Sequence, residues 1–209
     1  MVQLEETARR LVEIGRRFDA RGWVLGTSGN FSVVIGRDPF RMAITPSAAS
    51  KGELTADQVL HIDASGVVVS NGRGRPSAEY RLHRQVVDVC NAGAVLHTHS
   101  IWSTILSDVH APNAGLAIQG YEMLKGLEGV RTHEHREWVP ILENDQDMTR
   151  LADNVATTLR EHPESHAFLL RRHGLYTWGE DLAQAVRHVE ILEFLFESIG
   201  RTPACAPIP

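Results

Sequence analysis

Short apolar runs alternate with longer amphipathic stretches along the 209-residue chain, which restricts the fold to helices packed against a sheet. Leu4, Ala8, Leu11 and Phe18 recur at helical spacing and predict an N-terminal helix ending near Gly22. Strands are predicted at Phe31 to Ile35, Met42 to Thr45 (closed by Pro46), Ala94 to His99, His166 to Arg171 and Tyr176 to Trp178. His61 to Ser70 reads as two short strands around the turn Ala64-Ser65-Gly66. Pro76-Ser77-Ala78-Glu79 opens a helix with Ser77 as its expected N-cap and Leu82, Val86 and Val89 facing inward. Ile101 to Leu106 reads as the start of another helix, and further helices are predicted through Met148, Leu151, Val155 and Leu159, and from Leu182 through Ile199. Val109 to Asn144 carries no clean period and is expected to be largely irregular. The expectation is one layered α/β domain over residues 1–201, with a loose tail at 202–209 whose prolines cannot continue a helix.

Composition narrows the function. A formal net charge of −5 argues against a general nucleic-acid binder, which needs a basic surface to neutralise phosphates. No apolar run approaches the ~20 residues of a membrane-spanning helix. The opening MVQLEETARR has acids where a secretory signal has basic and apolar residues. Two cysteines, Cys90 and Cys205, are too few for a disulfide scaffold, so a reduced, cytoplasmic protein is expected. Eleven histidines direct attention to metal binding and proton transfer.

The strongest local signal is Ala94-Val95-Leu96-His97-Thr98-His99. On a strand, side chains two apart share a face, so His97 and His99 can hold one ion together. His173, ending the apolar run from Phe168 and preceding Gly174, is the expected third ligand. Three imidazoles with one position open is the arrangement of a catalytic Zn²⁺ site, and one ion per subunit is expected. His133-Glu134-His135 is a rival pair, but its charged neighbours suit an exposed loop better. His61, His83, His110, His162, His166 and His188 lack a partner at ligand spacing and read as surface or packing residues. Gly26-Thr27-Ser28-Gly29-Asn30 offers hydroxyls and accessible backbone N–H groups suited to an anion, or simply a structural turn. Thr45-Pro46-Ser47 and Pro76-Ser77-Ala78 add two hydroxyl-bearing turns. Glu79, in a first helical turn, and Glu122, a single acid among apolar residues, are the carboxylates that stand out.

In this order the pieces resemble the class II aldolase/adducin family, zinc-dependent enzymes acting on phosphorylated ketoses. The resemblance spans nearly the whole chain. It makes Gly26 to Ser32, Thr45 to Ser47 and Pro76 to Glu79 three phosphate loops, with Ser28, Gly29, Asn30, Ser47 and Ser77 binding substrate, and makes His97, His99 and His173 the metal ligands. It implies a central, mostly antiparallel sheet between helical layers, a homotetramer and sites near subunit contacts. Gly120 to Leu127, Thr132 to Glu137 and Val139 to Asn144 resemble a dehydratase branch of the family, which would make Glu122 the general acid–base. Glu79 aligns with the carboxylate that aldolase relatives place at the metal. Ala48 and Ala78 differ from the residues some relatives use around the phosphate. An aldolase or epimerase is the nearest alternative, but such relatives use a late tyrosine, and here none follows Tyr176. A non-catalytic, adducin-like binding module would not need the three histidines.

Overall fold

The computed structural model describes residues 2–69 and 74–202. In chain order its elements are α1 (Val2–Ala20), β1 (Asn30–Arg37), β2 (Phe40–Ile44), β3 (Leu60–Ile62), α2 (Tyr80–Cys90), β4 (Ala94–Thr98) and α3 (Ile101–Val109). There follow β5 (Gly115–Ile118), β6 (Glu137–Leu142), α4 (Met148–Glu161), β7 (Ala167–Leu170), β8 (Gly174–Gly179) and α5 (Leu182–Arg201). The strands form one sheet in the order β3-β2-β1-β4-β8-β7-β6-β5. Every pairing is antiparallel except β6 with β7, so the mostly antiparallel sheet expected from the sequence is present.

Helices cover both faces. Leu11 and Phe18 of α1 pack with Phe31, Leu96 and Val189 on one side. Leu106 of α3 joins Leu192, Leu195 and Phe196 of α5 on that side. Leu82 and Val86 of α2 meet Leu151 and Val155 of α4 on the other, over Phe168 and Tyr176. The central strands β4 and β7 are therefore buried along their whole length, which is why they read as continuous apolar runs rather than alternating ones.

Three expectations need correction. Val109 to Asn144 holds two paired strands, β5 and β6, besides the 3₁₀ turn Glu122–Gly126. Ser77 does not cap α2: the N-cap position is Glu79 in helical conformation, because residues 77–79 form a preceding turn in which the Tyr80 N–H reaches the Ser77 carbonyl. The Ser77 hydroxyl is turned instead toward Glu79. The second strand expected before Ser70 is a single bridge between Ile62 and Val68. The tail beyond Thr202 lies outside the described residues. No described helix is long and apolar enough to cross a membrane.

Candidate metal centre and substrate pocket

Sheet register assembles the site. Asn30 of β1, His97 of β4 and Tyr176 of β8 stand side by side across three antiparallel strands. His99 follows β4 directly, and its N–H is held by the Trp23 carbonyl at 2.7 Å. His173 lies in the turn between β7 and β8, and Gly174 lets that turn press onto β4. A Cβ at Gly174 would stand 2.0 Å from the Thr98 carbonyl oxygen. Gly29 is required for a similar reason, with a left-handed φ of 69° and a Cβ position 2.6 Å from the His97 carbonyl oxygen.

The three Nε2 atoms converge. Those of His97 and His99 are 2.7 Å apart, and those of His97 and His173 are 3.3 Å apart. Nδ1 of His97 donates to the Leu175 carbonyl at 2.9 Å. A carbonyl can only accept, so the Nε2 of neutral His97 carries a lone pair. Burial, then repulsion from His99, holds the His97 pKa well below its usual value, and burial with its neighbours brings His99 to about 4. Both imidazoles are therefore uncharged at neutral pH, with electron pairs aimed into one space, the chemistry a borderline-soft divalent cation requires. Among the described residues this is the one group of three such side chains that comes together. His133 and His135 do not join: His133 lies 3.7 Å from Glu122, and His135 binds Glu137 at 2.9 Å.

Glu79 completes the wall. Its Oε1 lies 3.3 Å from His173 Nε2 and 3.7 Å from His97 Nε2. Burial opposes its ionisation, but the hydrogen bond with His173 and the neighbouring His97 and Ser77 outweigh it and hold the carboxyl below its ordinary range. Ser28, Gly29 and Asn30 from the first loop, Ser47 from the second and Ser77 from the third line one pocket of about 260 Å³. His99 and Glu79 line it too. The expected substrate loops and metal ligands are thus brought together. Glu122 is not. It stands on the 3₁₀ turn with a side chain 72% exposed, bound to Lys125 at 2.7 Å, and that bond with the nearby cations lowers its pKa.

Four residues of the site carry no sequence signal that could have found them. Lys51 is fully buried, its Nζ donating to the carbonyls of Ala49 at 2.7 Å and Thr27 at 3.1 Å, which ties the second loop to the first. Tyr176 stacks on His97 at 3.8 Å between ring centroids. Glu193 of α5 is buried behind β4 and accepts from Thr98, which stands between His97 and His99, at 2.8 Å; burial pushes its pKa up to about 7. His83 is also fully buried, beside Asn30. Apart from Ala49, two residues from Lys51, their partners are distant in sequence, and only the folded sheet reveals them.

The class this architecture defines is shown by comparison with known proteins. The chain belongs to the class II aldolase and adducin family: the profile described as Class II Aldolase and Adducin N-terminal domain matches residues 9–199. It is similar to the methylthioribulose-1-phosphate dehydratase of Pseudomonas fluorescens Pf0-1, with 43% identity over 92% of this chain and 91% of that protein. The protein of the same name from Methylococcus capsulatus Bath is 44% identical, covering 93% of both chains. Among solved structures, L-fuculose-1-phosphate aldolase from Thermus thermophilus superposes with a TM-score of 0.75 at 25% identity, over 96% of this chain and 97% of that one.

Proposed function

We propose that this chain removes water from 5-methylthioribulose 1-phosphate to give 5-methylthio-2,3-dioxopentyl phosphate, a step of methionine salvage. The observation that carries the reading is the pocket in which three hydroxyl-bearing loops meet His99, one of three converging imidazoles, in a chain alike over 92% of its length to a dehydratase of that substrate. Zinc held by His97, His99 and His173 would supply Lewis acidity to the ketose carbonyl oxygen. Ser28, Gly29, Asn30, Ser47 and Ser77 hold the phosphate end, over the charge of Lys51. Glu122 takes the proton from C3 and returns one to the C4 hydroxyl as it leaves as water, and the resulting enol becomes the second ketone.

The exposed position of Glu122 supports an assembled enzyme. Leu25 beside the first loop, Ile101 beside His99 and Met123 beside Glu122 are exposed apolar residues. Contact between the first two and a neighbour's Met123 would carry Glu122 to the pocket. The proposed protein is therefore a cytoplasmic homotetramer with sites completed between subunits. One observation favours a second reading, carbon–carbon cleavage with Glu79 as acid–base: within one chain Glu79 lines the pocket and Glu122 does not.

The test is turnover of methylthioribulose 1-phosphate by chelator-stripped and zinc-reloaded protein, followed by mass spectrometry. The proposal expects a product lighter by one water, formed only after reloading. Fragments from carbon–carbon cleavage would support the second reading, and turnover independent of zinc would overturn both.

A further inference from the structure

Behind the pocket a single file of buried polar groups runs from β1 through α2 to Glu79. The His83 ring, on the second turn of α2, spans Ser32 and Asn30 of β1. Its Nδ1 lies 2.8 Å from Ser32 Oγ, and its Nε2 meets Asn30 Oδ1 in a short hydrogen bond. Asn30 Nδ2 in turn donates to Glu79 Oε2 at 2.6 Å, where the Ser77 hydroxyl also donates at 3.1 Å. Glu79 Oε1 is left facing the imidazoles of His173 and His97.

Hydrogen-bond chemistry permits one direction along this file. An ionised carboxylate only accepts, so Asn30 must turn its NH₂ to Glu79 and its carbonyl to His83. That carbonyl only accepts, so His83 Nε2 must carry the proton. Burial pushes the His83 pKa down to about 4, which keeps the ring neutral, so Nδ1 is bare and accepts from the Ser32 hydroxyl. The opposite tautomer would set a lone pair against the Asn30 oxygen inside the protein, two buried acceptors with no proton between them.

We propose that His83 is a positioning residue. With its Nε2–H given to the Asn30 carbonyl and its Nδ1 accepting from Ser32, it fixes the orientation of Asn30 and, through Asn30, aims the free oxygen of Glu79 at the converging imidazoles. Groups that orient the surroundings of a metal typically matter by 10–100-fold in affinity or activity (on the order of one to two decades). The ring also meets Tyr176 edge-on at 5.8 Å, and Tyr176 stacks on His97, so the same side chain braces the site along a second path.

The experiment compares His83→Gln and His83→Asn. The glutamine amide overlays the ring Nε2 and can still donate to Asn30, whereas the asparagine amide overlays Nδ1 and stops short. Zinc affinity is measured by chelator competition, and kcat and KM are measured with methylthioribulose 1-phosphate; only this turnover arm rests on the dehydratase reading. His83→Gln is expected to keep both properties within a few-fold. His83→Asn is expected to lose roughly 10–100-fold in zinc affinity or kcat, with KM moving less. Long-range ¹H–¹⁵N spectra of the metal-free wild type should show a neutral His83 protonated at Nε2. The proposal is overturned if the two amide variants behave alike, or if wild-type His83 is protonated at Nδ1. A tautomer and zinc contrast as expected, in a protein that does not dehydrate the substrate, would sustain the positioning role and sink the dehydratase reading.

Discussion

Replacing Lys51 by methionine keeps most of the side chain's length and bulk and removes its charge. Burial lowers the Lys51 pKa from its usual 10.5 to about 8, against the opposing pull of Glu79. Over that interval the unfolded chain still holds the lysine proton and the folded chain has released it. Stability rises with pH wherever the unfolded state binds more protons, so Lys51 adds stability as pH climbs from about 8 toward 10.5. Integrated between about pH 7.5 and about pH 9.5, the gain is about 2 kcal/mol. At neutral pH the variant loses two charge-assisted hydrogen bonds, worth about 1.5–3 kcal/mol each. It also escapes a desolvation cost of about 3 kcal/mol, so the net destabilisation there is modest. The assay is urea unfolding of metal-free wild type and Lys51→Met at both pH values. Cys90, whose thiol burial pushes up to about 11, titrates identically in both proteins and cancels in the difference. The wild type should gain about 2 kcal/mol more than the variant across the interval. Parallel pH dependence would refute the argument that burial lowers the Lys51 pKa inside the fold. Because Lys51 ties Thr27 to Ala49, the variant's KM for the phosphate ester should also rise more than its kcat falls.

Three other outcomes are expected. His97→Ala and His99→Ala should each lose zinc, read by metal analysis of the purified protein, and with it turnover; normal zinc content in the double variant would remove the assigned centre. Glu122→Gln should keep zinc and fold while kcat falls by roughly 10²–10⁴; mixing it with His97→Ala subunits should restore activity if Glu122 acts across a subunit contact, and an unchanged kcat would leave the proton to Glu79. Glu137 is buried and binds His166 at 3.0 Å, and despite the burial this bond raises the His166 pKa. A raised histidine stabilises most below its unfolded pKa of about 6.5 and loses that contribution as pH rises through the folded value. Thermal melts of Glu137→Gln should lack this loss above neutral pH, and a loss equal to the wild type's would show that the pair is not ionic.

The legible parts of the site were those whose signal is local. An apolar run ending in His97-Thr98-His99 states its geometry within six residues, and a hydroxyl-bearing turn states its own within three. Partnerships closed by the sheet left no such mark. His83 meets Ser32 and Asn30 across separations of 51 and 53 residues, so it read as an ordinary packing histidine. The strand β6 was hidden by Pro140, a residue that cannot donate to a ladder and argues against a strand interior. Pro140 is nonetheless tolerated opposite Gly115, where Ile141 N–H reaches the Ala114 carbonyl. Ser77 has the residue type of a cap, but a turn intervenes before α2 and its hydroxyl serves Glu79 instead.

The central claim is elimination of water at the histidine pocket, and the direct measurement is ¹³C NMR of methylthioribulose 1-phosphate turned over by the zinc-loaded protein. The account predicts an intact five-carbon phosphate ester with adjacent carbonyl carbons at C2 and C3 and no hydroxyl at C4. A three-carbon phosphate appearing with a two-carbon fragment, or unchanged substrate in the presence of bound zinc, would contradict it.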